Sequence, residues 1–173
     1  MSSTGSMGRD GLRIGHGFDV HRFSEAFDEA KPLVLAGVTL PEQRSLVAHS
    51  DGDLILHAVC DAILGAIAAG DIGQHFPDDD PGFKGIASTE LLKDVLGLVQ
   101  GRNCKLVNLD VTVVAQVPRL SSYMQELKAS LAALLQLNQD RVNIKATTTE
   151  GMGFIGREEG MACHAVVLVN EDA

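Results

Sequence analysis

Two stretches of the sequence carry side chains whose types and spacing suit metal chemistry. The first reads Gly-His-Gly-Phe-Asp-Val-His over residues 15–21, and the second begins at Ala48 and carries His57 within a helical pattern. In a strand, Asp19 and His21 point to the same side because side chains alternate between the two faces. Two imidazoles and one carboxylate, with a fourth position open, are typical ligands of a catalytic zinc site. The sequence therefore predicts a zinc site at these three residues.

A strand and a helix must position these ligands. Residues 12–22 alternate as a strand whose polar side carries two glycines beside the ligands, and such small residues keep the approach open. From Asp53 onward, apolar residues recur every three or four positions, while Asp53, His57 and Asp61 stack on a different side of the helix. His57 is therefore predicted to point away from the apolar face.

Each ligand also has a plainer interpretation. Asp19 and His21 suit a polar strand edge, and His57 suits a solvent-facing helix position, since short motifs often match by chance. Between residues 45 and 83, however, the chain has no Lys or Arg and is rich in Asp and His. A segment this acidic repels itself unless it is solvated or meets cations. Zinc is favoured over magnesium because imidazoles are softer ligands than Mg²⁺ prefers.

Phosphate contacts are indicated at other places in the chain. Residues 145–150 end a predicted strand with threonine hydroxyls that can bind phosphate oxygens, followed by Glu150, which can hold a hard cation such as Mg²⁺. Residues 115–120 end the preceding strand, where ligands of open α/β sheets gather. The helix start after residues 49–52 is an anion site, and residues 71–82 form a turn-rich loop or lid. Ordinary strand residues and turns explain the same segments without a ligand.

The order of the predicted elements indicates an α/β (α+β) fold, a single domain with one mixed β-sheet and helices on one face. Because the other face of the sheet is left bare, we expect sheets to pack together in a homo-oligomer. The predicted strands are residues 12–22, 33–40, 105–115, 141–147 and 161–169. The predicted helices begin at Asp53, at Ser88 and at a candidate capping box of Ser122 with Gln125.

Length and composition limit the class of protein. The 173 residues and 45% hydrophobic content suit one catalytic domain, predicted over residues 12–170, after a disordered leader or cloning remnant at residues 1–11. The formal net charge of −9 disfavours a nucleic-acid partner, which needs clustered basic surface. The scattered cysteines form no Cys-x-x-Cys pair, which favours a reducing cytoplasm. No apolar run in the sequence is long enough to span a membrane.

Several segments, taken in order, resemble the 2-C-methyl-D-erythritol 2,4-cyclodiphosphate synthase family. They are residues 15–21, 48–53, 70–73, 76–78 and 145–150, and the resemblance extends over residues 13–169. It implies a cyclising phosphorus-oxygen lyase of the non-mevalonate isoprenoid pathway. Such an enzyme converts 4-diphosphocytidyl-2-C-methyl-D-erythritol 2-phosphate into 2-C-methyl-D-erythritol 2,4-cyclodiphosphate and releases CMP.

The resemblance implies roles for individual residues. Asp19, His21 and His57 would hold zinc, and Glu150 would help to hold a second divalent cation, Mg²⁺ or Mn²⁺. His49 and Thr148 would be the catalytic pair that fixes and polarises the phosphates. The methylerythritol phosphate would contact Ser50, Asp71, Ile72, Gly73, Phe76, Asp78 and Asp80, and the cytidine side would be lined by Ala115, Pro118, Arg119, Leu120, Ala146 and Thr147. Asp19, His21, Thr149, Glu150, Phe154 and Arg157 complete the implied substrate-binding set.

The resemblance also implies an assembly, since members of this family are homotrimers with active sites between neighbouring subunits. Phe18, Arg157 and Glu159 resemble residues lining a central cavity that can hold an isoprenoid diphosphate, in an enzyme of the bacterial cytoplasm. Arg119 departs from the family pattern because many relatives have Lys there, which keeps the charge but changes its geometry. Asp79 adds a carboxylate where relatives often have an uncharged residue.

Two other functions stay open at this point. A zinc-dependent phosphohydrolase acting on a nucleotide diphosphate would use metal-activated water, whereas a non-catalytic trimer would bind isoprenoid diphosphates without turning them over. ATPase and dehydrogenase functions lack support because the sequence has neither a Walker loop nor a dinucleotide fingerprint.

Overall fold

A mixed sheet is the framework on which the candidate site is built. The computed structural model describes residues 11–171, so residues 1–10 of the predicted leader lie outside the described part of the chain. The strands are β1 (Gly11–Arg22), β2 (Val34–Leu35), β3 (Val38–Thr39), β4 (Cys104–Val114), β5 (Val142–Thr147) and β6 (Gly160–Glu171). The main sheet has four strands in the order β1-β6-β4-β5. β4 and β5 run parallel, whereas β6 is antiparallel to both of its neighbours, which confirms the mixed sheet.

Helices cover one face of this sheet, as the sequence predicts. The helices of the described chain are α1 (Leu54–Ala66), α2 (Ile72–His75), α3 (Ser88–Gly101), α4 (Met124–Leu134) and α5 (Gly153–Gly156). α1 packs on β1 and β6, α3 on β4, and α4 on β5. Alternate strand residues such as Val111, Val113 and Val167 are buried in the core shared with these helices. Among residues 11–171, no helix is both long enough and apolar enough to cross a bilayer.

Two of the glycines of β1, Gly15 and Gly17, allow α1 to lie directly on the strand. A Cβ atom on Gly15 would lie 1.7 Å from the carbonyl oxygen of Ala62, and one on Gly17 would lie 1.9 Å from that of Ala58. Both distances are far below contact distance, so only glycine fits at either position. These glycines therefore set the distance between β1 and α1, which is a different role from the open approach to the ligands that the sequence predicts for them.

The predicted buried strand over residues 33–40 is wrong, because the chain turns back on itself within it. β2 and β3 form a separate two-stranded hairpin. Its turn residues Ala36 and Gly37 have φ values of +52° and +75°, the left-handed conformation of a tight hairpin turn. The continuous apolar pattern hid this turn, since Leu33, Leu35 and Leu40 are all buried.

The predicted capping box at Ser122 and Gln125 is also wrong. Ser122 ends a 3₁₀ turn, Leu120–Ser122, which runs on into α4 with no side-chain cap. Tyr123, the residue before the helix, already has helical backbone angles, whereas an N-cap residue needs an extended conformation. Burial of Leu127 and Leu131 against the sheet follows the predicted periodicity.

The sheet face opposite the helices is uncovered in the described chain and is partly apolar. Leu12 and Ile14 of β1 are 68% and 72% exposed, and Phe18, Val20 and Val166 are also exposed. Large apolar side chains in one exposed patch mark an interaction surface. The structure therefore agrees with the expectation that this face needs a cover.

Asp53 ties the start of α1 to the β2–β3 hairpin. Its carboxylate accepts hydrogen bonds from the backbone N–H groups of Ala36, Gly37 and Leu56 at 2.9, 2.6 and 3.1 Å. Burial raises the pKa of this fully buried carboxyl to about 6, against the opposing effect of these N–H groups. Asp53 is therefore a helix cap, and not a member of the polar helix side predicted with His57 and Asp61.

We expect Asp53→Ala to lower the free energy of unfolding by about 3 kcal/mol or more, because it leaves several buried N–H groups without an acceptor. Asp53→Asn keeps one acceptor oxygen, so we expect a smaller loss of about 1–2 kcal/mol. Urea denaturation of the two variants and the unaltered protein measures both effects. Equal stability of all three proteins would show that the cap does not hold the hairpin to α1.

Candidate functional site

Asp19, His21 and His57 converge as predicted, and we call them the ligand triangle. Asp19 Oδ2 lies 3.1 Å from His57 Nδ1 and 3.2 Å from His21 Nε2, and the two imidazole nitrogens lie 3.1 Å apart. β1 supplies the first two residues and α1 supplies the third. Among residues 11–171, this is the one group of three or more such side chains with the spacing to hold a metal ion. The spacing is slightly shorter than the edges of about 3.3–3.6 Å in a tetrahedron with metal–ligand bonds of about 2.0–2.2 Å, so a small outward shift of the side chains would accommodate an ion.

Burial and mutual contacts set the charges of the ligand triangle. Burial favours neutral Asp19, but the hydrogen bond with His57 and the charge of His21 hold the pKa of this carboxyl below its ordinary value. Burial lowers the pKa of His21. Burial also acts to lower the pKa of His57, but the hydrogen bond and the charge of Asp19 raise it. A cation bound here would replace the proton held between Asp19 and His57.

A cavity of about 360 Å³ opens beside the ligand triangle, and we call it the metal cavity. It is lined by residues of β1, α1, α2 and α3 and of the loops that follow β3 and α2. The predicted site residues that line it are Asp19, His21, His49, Ser50, His57, Ile72, Gly73, Phe76 and Asp78. The structure therefore brings together most of the predicted ligand and methylerythritol-phosphate contacts.

A second cavity of about 190 Å³, which we call the strand-end cavity, lies at the ends of β4 and β5. Its predicted lining residues are Ala115, Pro118, Arg119, Leu120, Ala146, Thr147 and Thr148. It shares no lining residue with the metal cavity. The predicted catalytic pair is therefore divided within one chain, since His49 lines the first cavity and Thr148 the second.

The remaining predicted residues line neither of these two cavities. Asp71 caps α2, and the Asp80 carboxylate accepts a hydrogen bond from the N–H group of Gly82. Glu150 accepts a hydrogen bond from Thr148 Oγ1 at 3.2 Å. The Thr149 hydroxyl donates to the Met152 carbonyl oxygen, Phe154 is 43% exposed, and Arg157 pairs with Glu159 at 2.6 Å.

Sequence reasoning missed several residues of the metal cavity. Asp61 lines its wall, one helical turn after His57, and accepts a hydrogen bond from the N–H group of Ile72 at 2.7 Å. Burial raises the pKa of Asp61. The i+4 spacing places Asp61 on the His57 side of α1, as the sequence predicts, but no role in the site was predicted for it. Apolar wall residues such as Phe83 and Leu91 gave no chemical signal in the sequence.

A comparison with known protein families identifies the family of this chain. The model of the YgbB family matches residues 12–170, a range that contains the ligand triangle and both cavities. The chain belongs to the YgbB family. The resemblance inferred from the sequence motifs is confirmed, because curated YgbB-type relatives at about half identity are named 2-C-methyl-D-erythritol 2,4-cyclodiphosphate synthases.

Named and solved YgbB-type relatives match nearly the whole chain. The synthase of Idiomarina loihiensis is 53% identical over 158 residues, which cover 91% of this chain and 97% of the relative. The bifunctional IspDF of Campylobacter jejuni has a TM-score of 0.87 at 45% identity, covering 94% of this chain and 43% of that protein. IspF of Plasmodium falciparum, solved as a CDP complex, has a TM-score of 0.81 at 32% identity, covering 95% and 99%. The mixed α/β fold is therefore shared with solved relatives.

Proposed function

We propose that this YgbB-family chain is a 2-C-methyl-D-erythritol 2,4-cyclodiphosphate synthase, a lyase of isoprenoid biosynthesis. The observation that carries the proposal is the ligand triangle, which opens onto the metal cavity in a chain about half identical to curated synthases. The substrate proposed from the sequence resemblance is 4-diphosphocytidyl-2-C-methyl-D-erythritol 2-phosphate. A cytidine ligand is supported by the Plasmodium falciparum relative, which was solved with CDP.

In the proposed reaction the substrate supplies its own nucleophile. An oxygen of the 2-phosphate forms a bond to the β-phosphorus of the diphosphate. The bond from that phosphorus to the oxygen that bridges to the α-phosphate breaks, and CMP leaves with that oxygen. Because a phosphate monoester is already ionised near neutral pH, no general base is needed, and the protein has to fold a flexible anion into line.

The site residues share this task. In our proposal Asp19, His21 and His57 hold zinc, and Glu150 helps to hold a second divalent cation, Mg²⁺ or Mn²⁺. Such cations, when bound, neutralise phosphate charge and stabilise the leaving group. The proposed phosphate-positioning pair is His49, whose Nε2 lies 3.3 Å from the Asp80 carbonyl oxygen, and Thr148. Ser50, Ile72, Gly73 and Phe76 would orient the methylerythritol phosphate.

The division of the site between two cavities supports a homotrimer. We propose that the metal cavity of one subunit faces the strand-end cavity of its neighbour, which would bring His49 and Thr148 to the same substrate. The exposed apolar sheet face would pack around the central axis, with Phe18 lining a cavity for an isoprenoid diphosphate. Sedimentation should give three times the 18.3 kDa mass of one chain, and a monomeric mass at micromolar concentration would contradict the assembly.

The cellular location that we propose with this function is the bacterial cytoplasm. Within the described residues, Cys60, Cys104 and Cys163 are all free and buried. Unpaired cysteines are typical of a reducing compartment.

The reaction is tested by incubating the purified protein with the cytidine substrate, zinc and Mg²⁺. Phosphorus NMR should show a cyclic diphosphate formed in equal amount to CMP. In ¹⁸O-labelled water the product should carry no label. Label in the product would instead support a phosphohydrolase, and binding without CMP release would support a non-catalytic module.

A further inference from the structure

The imidazole of His57 has a second set of contacts on the side away from the ligand triangle. His57 Nε2 lies 2.9 Å from Ser88 Oγ and 3.1 Å from Ser50 Oγ. Ser88 Oγ lies 2.5 Å from Asp51 Oδ1, and the Ser88 N–H group donates to Asp51 Oδ2 at 2.9 Å. Ser88 is fully buried. The imidazole of His57 is therefore held between the other two residues of the ligand triangle on one side and the Ser88 hydroxyl on the other. The Asp51 carboxylate fixes that hydroxyl.

The number of protons that these groups can donate determines the direction of each hydrogen bond. A serine hydroxyl has one proton to donate, and a carboxylate only accepts. Because Ser88 Oγ donates its proton to Asp51, it can only accept a hydrogen bond from His57 Nε2–H. The Nε2 atom therefore keeps its proton, and the proton that a bound cation replaces is the one between Nδ1 and Asp19, which frees the Nδ1 lone pair for the ion. Nδ1 is the nitrogen that faces Asp19 Oδ2 and His21 Nε2 at 3.1 Å each.

We propose that Ser88 and Asp51 are positioning residues that fix His57 in the tautomer and orientation needed to bind a divalent cation through Nδ1. The inference rests on the proposed metal-binding role of the ligand triangle. A ligating imidazole generally donates its other N–H group to a fixed acceptor, and loss of that acceptor commonly costs about 10- to 100-fold in metal affinity. Here the acceptor is a buried hydroxyl whose own proton is held by Asp51.

A hydrogen bond donated by Ser50 would favour the other tautomer of His57. Ser50 Oγ already accepts a hydrogen bond from the Gly52 N–H group at 3.2 Å, and its hydroxyl proton could be donated to His57 Nε2. That donation would place the imidazole proton on Nδ1, which would block the ligating nitrogen and leave the shorter Ser88 contact without a proton. The Ser88–Asp51 pair is favoured because Asp51 determines where the Ser88 proton lies.

Zinc affinity measured by competition with a chromogenic chelator tests the inference in the full-length protein. We expect Ser88→Ala to weaken zinc binding about 10- to 100-fold, and Ser88→Thr, which keeps the hydroxyl, to restore affinity to within a few fold. In the zinc-loaded unaltered protein, ¹⁵N-edited NMR should detect a slowly exchanging His57 Nε2–H, which should exchange faster in Ser88→Ala.

Ser45→Ala is the matched control, since Ser45 is also buried and its hydroxyl contacts the Asp28 carbonyl oxygen, away from His57. It should lower thermal stability without changing zinc affinity. Unchanged zinc affinity in Ser88→Ala would overturn the inference while leaving the metal site intact. Failure of the unaltered protein to bind zinc would overturn the metal site and this inference together.

Discussion

His57→Ala should remove tightly bound zinc and lower turnover, because it deletes a metal ligand. The loss of activity should exceed the roughly 10- to 100-fold loss that is typical when a residue hydrogen-bonded to a ligand is removed. The two remaining ligands, Asp19 and His21, come from one strand and occupy only one side of the ion. The fold should survive, since His57 faces the metal cavity and not the core formed by the apolar side of α1. Metal analysis after dialysis and the CMP-release assay measure the two effects.

His164→Ala is the control for this prediction. His164 lies on the opposite face of the sheet, where it pairs with His16 at 3.2 Å, so its loss removes an imidazole without touching the ligand triangle. We expect it to retain zinc. If His57→Ala keeps full activity after treatment with a chelator, the proposed role of the ligand triangle is wrong.

Gly15→Ala should be among the most destabilising single substitutions in this chain. Its new Cβ would lie 1.7 Å from the Ala62 carbonyl oxygen, and a helix backbone cannot move aside as a flexible side chain can. Overpacking usually costs about 1–3 kcal/mol, and we expect the upper end or more because α1 must shift as a unit. The shift would also separate His57 from Asp19, so zinc affinity should fall together with the free energy of unfolding.

Gly97→Ala is the matched control because a Cβ at this position in α3 would meet nothing within 4 Å. Replacing a helical glycine with alanine there should be neutral or stabilising by about 0.5–1 kcal/mol. Urea denaturation compares the two variants, and chelator competition gives their zinc affinities. Wild-type stability in Gly15→Ala would mean that β1 and α1 do not pack as closely as described.

The ligand triangle could be predicted from the sequence because it depends on two local periodicities. Strand alternation places Asp19 beside His21, and helical spacing turns His57 away from the apolar side of α1. The main-sheet strands and the long helices follow from the same patterns. The β2–β3 hairpin could not be found in this way, since its turn lies inside an apolar run and is held by Asp53 from a distant segment.

Other parts of the site could not be predicted because they depend on long-range contacts. Ser88 meets His57 across 31 positions of sequence, and a buried serine at the start of a helix carries no chemical signal of its own. The separation of the metal cavity from the strand-end cavity also appears only once the chain is folded. The family resemblance identified the residues that line both cavities. It did not show how the two cavities are arranged within one chain.

A crystal structure of the purified protein, with diffraction data collected on both sides of the zinc absorption edge, tests the central claim most directly. We predict one anomalous peak about 2.0–2.2 Å from the Asp19 carboxylate, His21 Nε2 and His57 Nδ1. Strong anomalous density elsewhere, or these side chains turned apart with no shared ion, would contradict the account.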